Sequence, residues 1–224
     1  MQQILEKPNT AQAIASQAKT SDRKLAALLF MSGSILFLLL TTASEAIYPN
    51  FSLQTNALSD MAALGTATTI IEETALLELA VCWILGGYYL YRYTARNRLM
   101  ILNLLPGAGF LLAGVFPENV SIIGHSLGAL LVFPFGPLTL ILSYKITSSP
   151  LRYFSGALGL FSVASTVILF FGWRIICGTC GYVQGLSSAV LGLGGWESMS
   201  LYPLMIWLIG FGSYLLTVDG ASRS

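Results

Sequence analysis

Residues 25–47 decide the fold of this chain, and they read LAALLFMSGSILFLLLTTASEAI. At about 1.5 Å per residue, a helix of this length crosses a hydrocarbon core of about 30 Å. Such a core offers no water to the backbone, so a single crossing segment must satisfy its own peptide groups as a helix. Residues 25–47 therefore predict a transmembrane helix.

Five further apolar segments follow, so the sequence predicts an all-α fold: a polytopic integral membrane protein built as a six-transmembrane-helix bundle. The six predicted spans are residues 25–47, 69–91, 99–116, 122–144, 151–173 and 199–218. They lie in one transmembrane domain, residues 24–218. The flanking residues 1–23 and 219–224 are polar, and we expect cytoplasmic tails, the first of them disordered. Residues 186–193 are expected to form a short interfacial or re-entrant helix.

The composition agrees with a membrane protein and excludes other classes. Hydrophobic residues make up 55% of the chain and charged residues 9%, with a mean hydropathy of +0.74. So few ionic groups cannot cover a soluble domain of this size. The net charge is only +1, and the basic residues lie in short clusters at segment ends. The expected partner is therefore a lipid bilayer, with no nucleic acid.

The basic residues also predict the orientation, because lysine and arginine stay on the cytoplasmic side. With a cytoplasmic N-terminus only Arg174 lies outside, and we expect a cell (plasma) membrane protein with both termini cytoplasmic. The cytoplasmic set comprises Lys7, Lys19, Arg23, Lys24, Arg92, Arg96, Arg98, Lys145, Arg152 and Arg223. One alternative treats Arg23 to Ala46 as a cleaved signal peptide, which leaves five spans in the same orientation.

Small residues and prolines indicate how the helices pack. Gly124 and Gly128 form a GxxxG pair on the fourth predicted helix, and Ser155 and Gly159 are a similar pair on the fifth. Such pairs let two helices approach closely. Three prolines inside the third and fourth helices should bend them and free backbone carbonyl groups toward the interior: Pro106, Pro134 and Pro137.

Candidate chemistry gathers at the predicted outer face. Four of its residues could form one polar cluster: Asp60, Glu118, Glu197 and His125, the only histidine of the chain. Carboxylates around one imidazole suit acid–base catalysis, proton transfer or binding of a divalent metal, which are alternatives for the same four residues. Ser59 and Ser126 are candidate nucleophiles. A purely structural role, in which these side chains fasten loops to helix ends, stays open.

Two further features stand apart from that cluster. Glu78 lies deep in the second predicted helix, where an ionisable group marks a functional site or a protonated, hydrogen-bonded side chain. Glu72 and Glu73, higher on the same helix, are expected at the interface. Cys177 and Cys180 form a CxxC outside the fifth helix, which favours a local disulfide or two free thiols over a zinc site.

An ordered set of short motifs resembles a known family. The motifs run along nearly the whole chain: Tyr48-Pro49, Ser59-Asp60, Gly114-Val-Phe-Pro-Glu118, His125-Ser126, Gly194-Gly-Trp-Glu197, Tyr202-Pro203 and Trp207. They are similar to those of the prokaryotic, largely archaeal six-helix membrane proteins called domain-of-unknown-function family 998. The resemblance implies a six-helix bundle with an outer-face cluster at Asp60, Glu118, His125 and Glu197, and it implies no established activity.

Two departures from that family pattern bear on the ligand. The family usually has an arginine where this chain has Ser198, and an asparagine where it has Glu72. Losing a cation and gaining an acid makes the outer face more negative, which favours a proton or cation over an anion.

Three functions fit these observations. The first is a membrane-embedded enzyme that modifies or hydrolyses a lipid at the outer leaflet. The second is a non-enzymatic accessory subunit of a membrane complex or a lipid-binding component. The third is a proton- or cation-coupled transporter that uses Glu78, and no internal repeat supports it.

Overall fold

The computed structural model describes residues 10–176 and 191–218, with side chains for 14–171 and 191–218. These residues form six long helices and no strand, which confirms the predicted all-α bundle. A single 3-10 turn, Ser59–Ala62, lies between the first two helices. The helices are α1 Thr10–Ile47, α2 Thr69–Thr94, α3 Asn97–Val115, α4 Ile122–Ser143, α5 Leu151–Ile176 and α6 Gly192–Thr217.

Five of the six described helices, all except α2, are long and apolar enough to cross a bilayer. Helix α2 has 26 residues and packs between α1 and α3. It contains three glutamates and Arg92. The described helices therefore form a helical membrane bundle.

Two helices begin well before their predicted starts. Helix α1 begins at Thr10, so residues 10–23 are helical where we expected a disordered tail. This stretch contains several good helix formers, and Asp22 and Arg23 are buried. Asp22 Oδ2 lies 3.2 Å from Arg92 Nε of α2, which holds the extension against the bundle. Helix α6 begins at Gly192 instead of residue 199. The expected helix at 186–193 lies mainly outside the described residues.

The helices form a closed ring in chain order. Each helix packs against the next, α6 returns to α1, and α4 also touches α6 across the ring. The short connections between α2, α3, α4 and α5 make neighbouring helices antiparallel. We call the end where α1 finishes and α2, α4 and α6 begin the acidic end, and the opposite end the basic end.

Aromatic rings fill the centre of the ring. The ring of Trp83 stacks on Phe110 at 5.7 Å, and Trp207 stacks on Phe211 at 4.7 Å. All four side chains are at most 2% exposed. The indole Nε1 of Trp83 donates to Asn103 Oδ1 at 3.0 Å, so this polar atom is satisfied inside the bundle.

Helices α3 and α4 touch through their backbones. A Cβ atom added at Gly128 would lie 2.6 Å from Gly109 O, so only glycine permits this approach. The close packing predicted for the GxxxG pair is thus found at Gly128, whereas Gly124 packs on the ring of Phe116. On α5, Ser155 Oγ donates to Leu140 O of α4, as a small-residue contact allows.

Pro106 frees a carbonyl group that a neighbouring helix uses. A proline at position 106 cannot donate to Leu102 O four residues earlier. Thr139 Oγ1 of α4 lies 2.8 Å from Leu102 O and also 2.8 Å from Phe135 O of its own helix. The predicted free carbonyl therefore exists, and a hydroxyl from α4 satisfies it.

The contact at Gly128 generates a test of the packing. Gly128→Ala should destabilise the protein by about 1–3 kcal/mol, because the added methyl group forces α3 and α4 apart. Thermal unfolding of the purified protein in detergent measures this loss. Gly156→Ala is the matched control, because its Cβ would meet only Tyr144 Cδ2, at 3.7 Å. Equal unfolding temperatures for both variants would contradict the close approach.

Candidate functional site

A cavity of about 40 Å³ lies inside the bundle near the acidic end. Four of its lining side chains are polar: Ser59, Glu72, His125 and Glu197. The remaining lining is apolar and comes from Phe37, Leu58, Leu76, Phe110, Ala113, Ala129, Val132, Phe133 and Leu201. A polar space of this volume can hold more than one water molecule. The cavity is thus a small space with mainly apolar lining, into which four polar side chains reach.

Glu72 is the most deeply buried acid of this cavity. It lies in the first turn of α2, where the positive end of the helix dipole favours a carboxylate, and it is 2% exposed. Its Oε1 accepts a hydrogen bond from Thr41 Oγ1 at 3.0 Å. Its Oε2 is buried and has no hydrogen bond with any described residue. Ser44 lies close to the same carboxyl group but its hydroxyl makes no hydrogen bond in the described structure.

Glu197 joins the start of α6 to the loop after α1. Its Oε2 accepts the backbone N–H of Leu58 at 2.7 Å. The loop also meets the glycines that begin α6: Gly195 N donates to Leu53 O at 3.2 Å. A Cβ at Gly194 would lie 2.2 Å from Asn56 O. The Gly-Gly-Trp-Glu sequence therefore lets the loop lie directly on the helix and brings Glu197 under it.

His125 enters the cavity from the first turn of α4. Ser121 caps this helix, because its hydroxyl accepts from the backbone N–H of Gly124 at 3.2 Å. The imidazole is half-buried, and its Nδ1 is buried without a hydrogen bond to any described residue. A neutral imidazole protonated at Nε2 offers Nδ1 as an acceptor. His125 Nδ1 is thus a second unpaired polar atom of the lining side chains, in addition to Glu72 Oε2.

The other two residues of the predicted cluster do not line the cavity. Asp60 caps its own turn: its Oδ2 accepts from Ala57 N at 3.0 Å and Asn56 Nδ2 at 3.4 Å. Glu118 is exposed in the connection between α3 and α4. Both lie close enough for their charges to act on Glu197. Of the four predicted side chains, only His125 and Glu197 line the cavity.

The direction of the Glu72 side chain is what sequence reasoning did not predict. Its expected depth at the membrane interface stays a prediction, and the structure turns the side chain into the interior of the bundle. The available signal was its identity: an acid stands where the family resemblance implies an asparagine. That signal gave the charge but not the direction of the side chain, which depends on the packing of α1 against α2. Glu73, the next residue, is only half-buried and does not line the cavity.

The alternatives for metal and thiol chemistry are limited by the geometry. Among the described residues, no group of three or more histidine, cysteine, aspartate or glutamate side chains is placed to hold a metal ion. A divalent metal at Asp60, Glu118, His125 and Glu197 has no geometric support there. Cys177 and Cys180 lie outside the described residues.

Glu78 lies away from the cavity. Its Oε1 accepts from the Cys82 thiol one turn along α2, with Sγ at 3.1 Å. Its Oε2 is buried without a hydrogen bond to a described residue. Cys82 faces α1, where a Cβ at Gly33 would lie 2.6 Å from Cys82 Cβ. Glu78 does not line the cavity, and its partner Cys82 packs against α1. Transport through Glu78 stays a prediction.

The bond from Leu58 to Glu197 predicts a stability difference. Glu197→Ala should cost about 1–3 kcal/mol, because it leaves a buried N–H without an acceptor. Glu197→Gln should retain most of the stability, since its amide oxygen can accept the same bond. Thermal unfolding measures both. Glu118→Ala, which alters an exposed acid of the same end, should unfold like the wild type, and a similarly small effect of Glu197→Ala would contradict the structural role.

Comparison with known families gives one match. A family model described as "Protein of unknown function (DUF998)" matches residues 31–214. No curated protein and no solved structure matches the chain significantly. The match begins within α1 and ends within α6, and it includes every lining residue of the cavity. This chain therefore belongs to the DUF998 family of proteins of unknown function.

Proposed function

We propose that this protein binds a small cation in the cavity near its acidic end, and that protons occupy the carboxyl groups when the cation is absent. One observation carries the proposal: Glu72 Oε2 is buried at the cavity and has no hydrogen bond with any described residue. The Ser44 hydroxyl lies close to this carboxyl group, but no described lysine or arginine lines the cavity to neutralise its charge. A bound cation supplies that positive charge.

The surroundings of Glu72 favour a positive ligand. Glu197 lies in the same lining, and the charges of Asp60, Glu72 and Glu118 all act on it. None of the described residues lining the cavity is a lysine or an arginine. Burying an unpaired carboxylate costs several kcal/mol, so these acids must carry protons or face a cation. An anionic ligand would add repulsion to that cost.

The orientation predicted from lysine and arginine supports access from outside the cell. The basic end contains Asp22 and Arg92, and Arg152 lies over the ring of Tyr144, with Cζ at 5.3 Å from the ring centroid. If both termini are cytoplasmic in a cell membrane, the cavity opens toward the exterior. The ligand then comes from the outer medium or the outer leaflet.

A lipid-modifying enzyme is the second candidate, and one observation favours it. Ser59 lines the same cavity as His125 and the two glutamates, so a hydroxyl, a base and acids share one space. However, no hydrogen bond joins Ser59 to His125 in the described part of the chain. Loss of lipid hydrolysis in Ser59→Ala, with binding of a cation retained, would support the enzyme.

An accessory-subunit role would use the exposed surface of the bundle. Helix α5 has the least buried apolar stretch of the five candidate spans, at 28%. Its exposed rings include Tyr153 and Phe161. Lipid acyl chains suit this surface, and so would another transmembrane helix. A stoichiometric partner that co-purifies in mild detergent would support the subunit role.

The proposal predicts that Glu72 is required for cation binding. A cation at ten times its dissociation constant should stabilise the wild type by about 1.4 kcal/mol. Glu72→Gln keeps an acceptor for Thr41 but removes the charge, and it should abolish this gain. The measurement is thermal unfolding in chlorides of sodium, potassium and methylammonium at constant ionic strength.

Glu73→Gln is the matched control for this experiment. It removes the same charge one residue along α2, at a side chain outside the cavity lining, and it should respond to cations like the wild type. If no cation raises the unfolding temperature of the wild type, or if both variants respond equally, the cavity is not a cation site.

A further inference from the structure

We infer that the cation of this cavity is an organic ammonium group, either a primary amine or its methylated form; this inference rests on the proposed function. It follows from the combination of acids and aromatic rings around one small space. The lining contains the rings of Phe37, Phe110 and Phe133 in addition to Glu72 and Glu197. Such a mixture is typical of sites that bind ammonium ligands.

An inorganic metal ion fits this lining poorly. Hard cations such as calcium need six or more oxygen ligands, and transition metals need several nitrogen, sulfur or oxygen ligands. The described residues contain no group of three acids, histidines or cysteines placed for such an ion. Apart from Ser59, the remaining lining side chains are aliphatic or aromatic and offer no ligand atoms.

An ammonium group matches both halves of the lining. Its N–H or N–CH₃ groups carry the positive charge outward, so they can approach acceptors on one side and ring faces on the other. Two buried polar atoms of the lining side chains have no hydrogen bond with described residues: Glu72 Oε2 and His125 Nδ1, which is an acceptor when the imidazole proton is on Nε2. The rings of Phe37 and Phe110 belong to the same lining and meet each other edge to face at 5.9 Å. A positive charge in the cavity can then contact π-electron density as well as acceptors.

The volume selects a small group. A cavity of about 40 Å³ accommodates the cationic end of a ligand but no second large substituent. Any longer chain must extend out of the cavity. A free small amine and the headgroup of an ethanolamine or choline lipid share this chemistry.

The outer surface of α4 is suited to a lipid as the source of the ammonium group. Ile123 and Leu127 are 73% and 51% exposed, and they lie two residues before and after His125, on the helix face turned away from it. This outer apolar surface of the bundle can contact acyl chains. The experiment therefore includes both sources.

The test compares methylammonium chloride with sodium chloride at matched ionic strength, using thermal unfolding of the full chain in detergent. Methylammonium should raise the unfolding temperature saturably, and sodium should not. Phe110→Leu should weaken the apparent affinity about fivefold, because it removes one aromatic ring from the cavity lining. Phe37→Leu tests the second ring, so the inference remains testable if one variant fails to fold.

Phe30→Leu is the matched control. Phe30 is as deeply buried as Phe37, at 1% exposure each, but it contacts Phe211 and does not line the cavity. This variant should lose stability while its affinity for methylammonium stays at the wild-type value. The control separates a loss of the ring from a general loosening of the core.

The outcomes separate this inference from the proposed function. If sodium stabilises as well as methylammonium, or if Phe37→Leu and Phe110→Leu bind like Phe30→Leu, the ammonium inference is wrong and cation binding stands. If no salt stabilises the wild type, both fail. Nanodiscs distinguish the two sources: phosphatidylethanolamine or phosphatidylcholine should suppress the methylammonium effect if the headgroup is the ligand, and phosphatidylglycerol should not. If neither phosphatidylethanolamine nor phosphatidylcholine suppresses it, the ligand is a free amine.

Discussion

The structure depends on the requirement that every polar group inside a hydrocarbon medium find a partner within the protein. This requirement makes each apolar segment a helix, and it also governs the exceptions. Pro106 leaves Leu102 O without its usual donor, and Thr139 of the neighbouring helix takes that place. Trp83 and Asn103 satisfy each other in the same way. Polar atoms buried without a partner are therefore informative in this bundle.

Two such atoms, Glu72 Oε2 and His125 Nδ1, belong to side chains that line the cavity near the acidic end. Its position follows from two local contacts: the loop after α1 lies on the glycines of α6, and Glu197 accepts from Leu58 beneath it. These contacts bring a carboxyl group to the lining that Glu72 and His125 reach from α2 and α4. The structural and the proposed binding roles of Glu197 are compatible, because its Oε2 accepts from the loop and the same side chain lines the cavity.

The separation of charge between the two ends gives the protein its polarity. The ion pair of Asp22 with Arg92 fastens α1 to α2 at the basic end, and Arg92 also lies 6.0 Å from the ring centroids of Tyr88 and Tyr89. The acidic end has carboxyl groups that meet backbone N–H groups and hydroxyls instead. The proposed cation binding at one end is therefore compatible with anchoring by basic side chains at the other.

The sequence by itself determined the class of fold, the approximate helices, and the small residues at which they meet, because length, hydropathy and side-chain size act locally. It also selected His125 and Glu197, whose motifs carry the family resemblance. It could not determine that Glu72 turns inward while Asp60 caps a turn and Glu118 stays exposed. These directions depend on how α1, α2 and α6 pack around one space, and only the tertiary structure decides which acids share it. The early start of α1 has the same origin, since a partner on α2 holds a stretch that is polar in isolation.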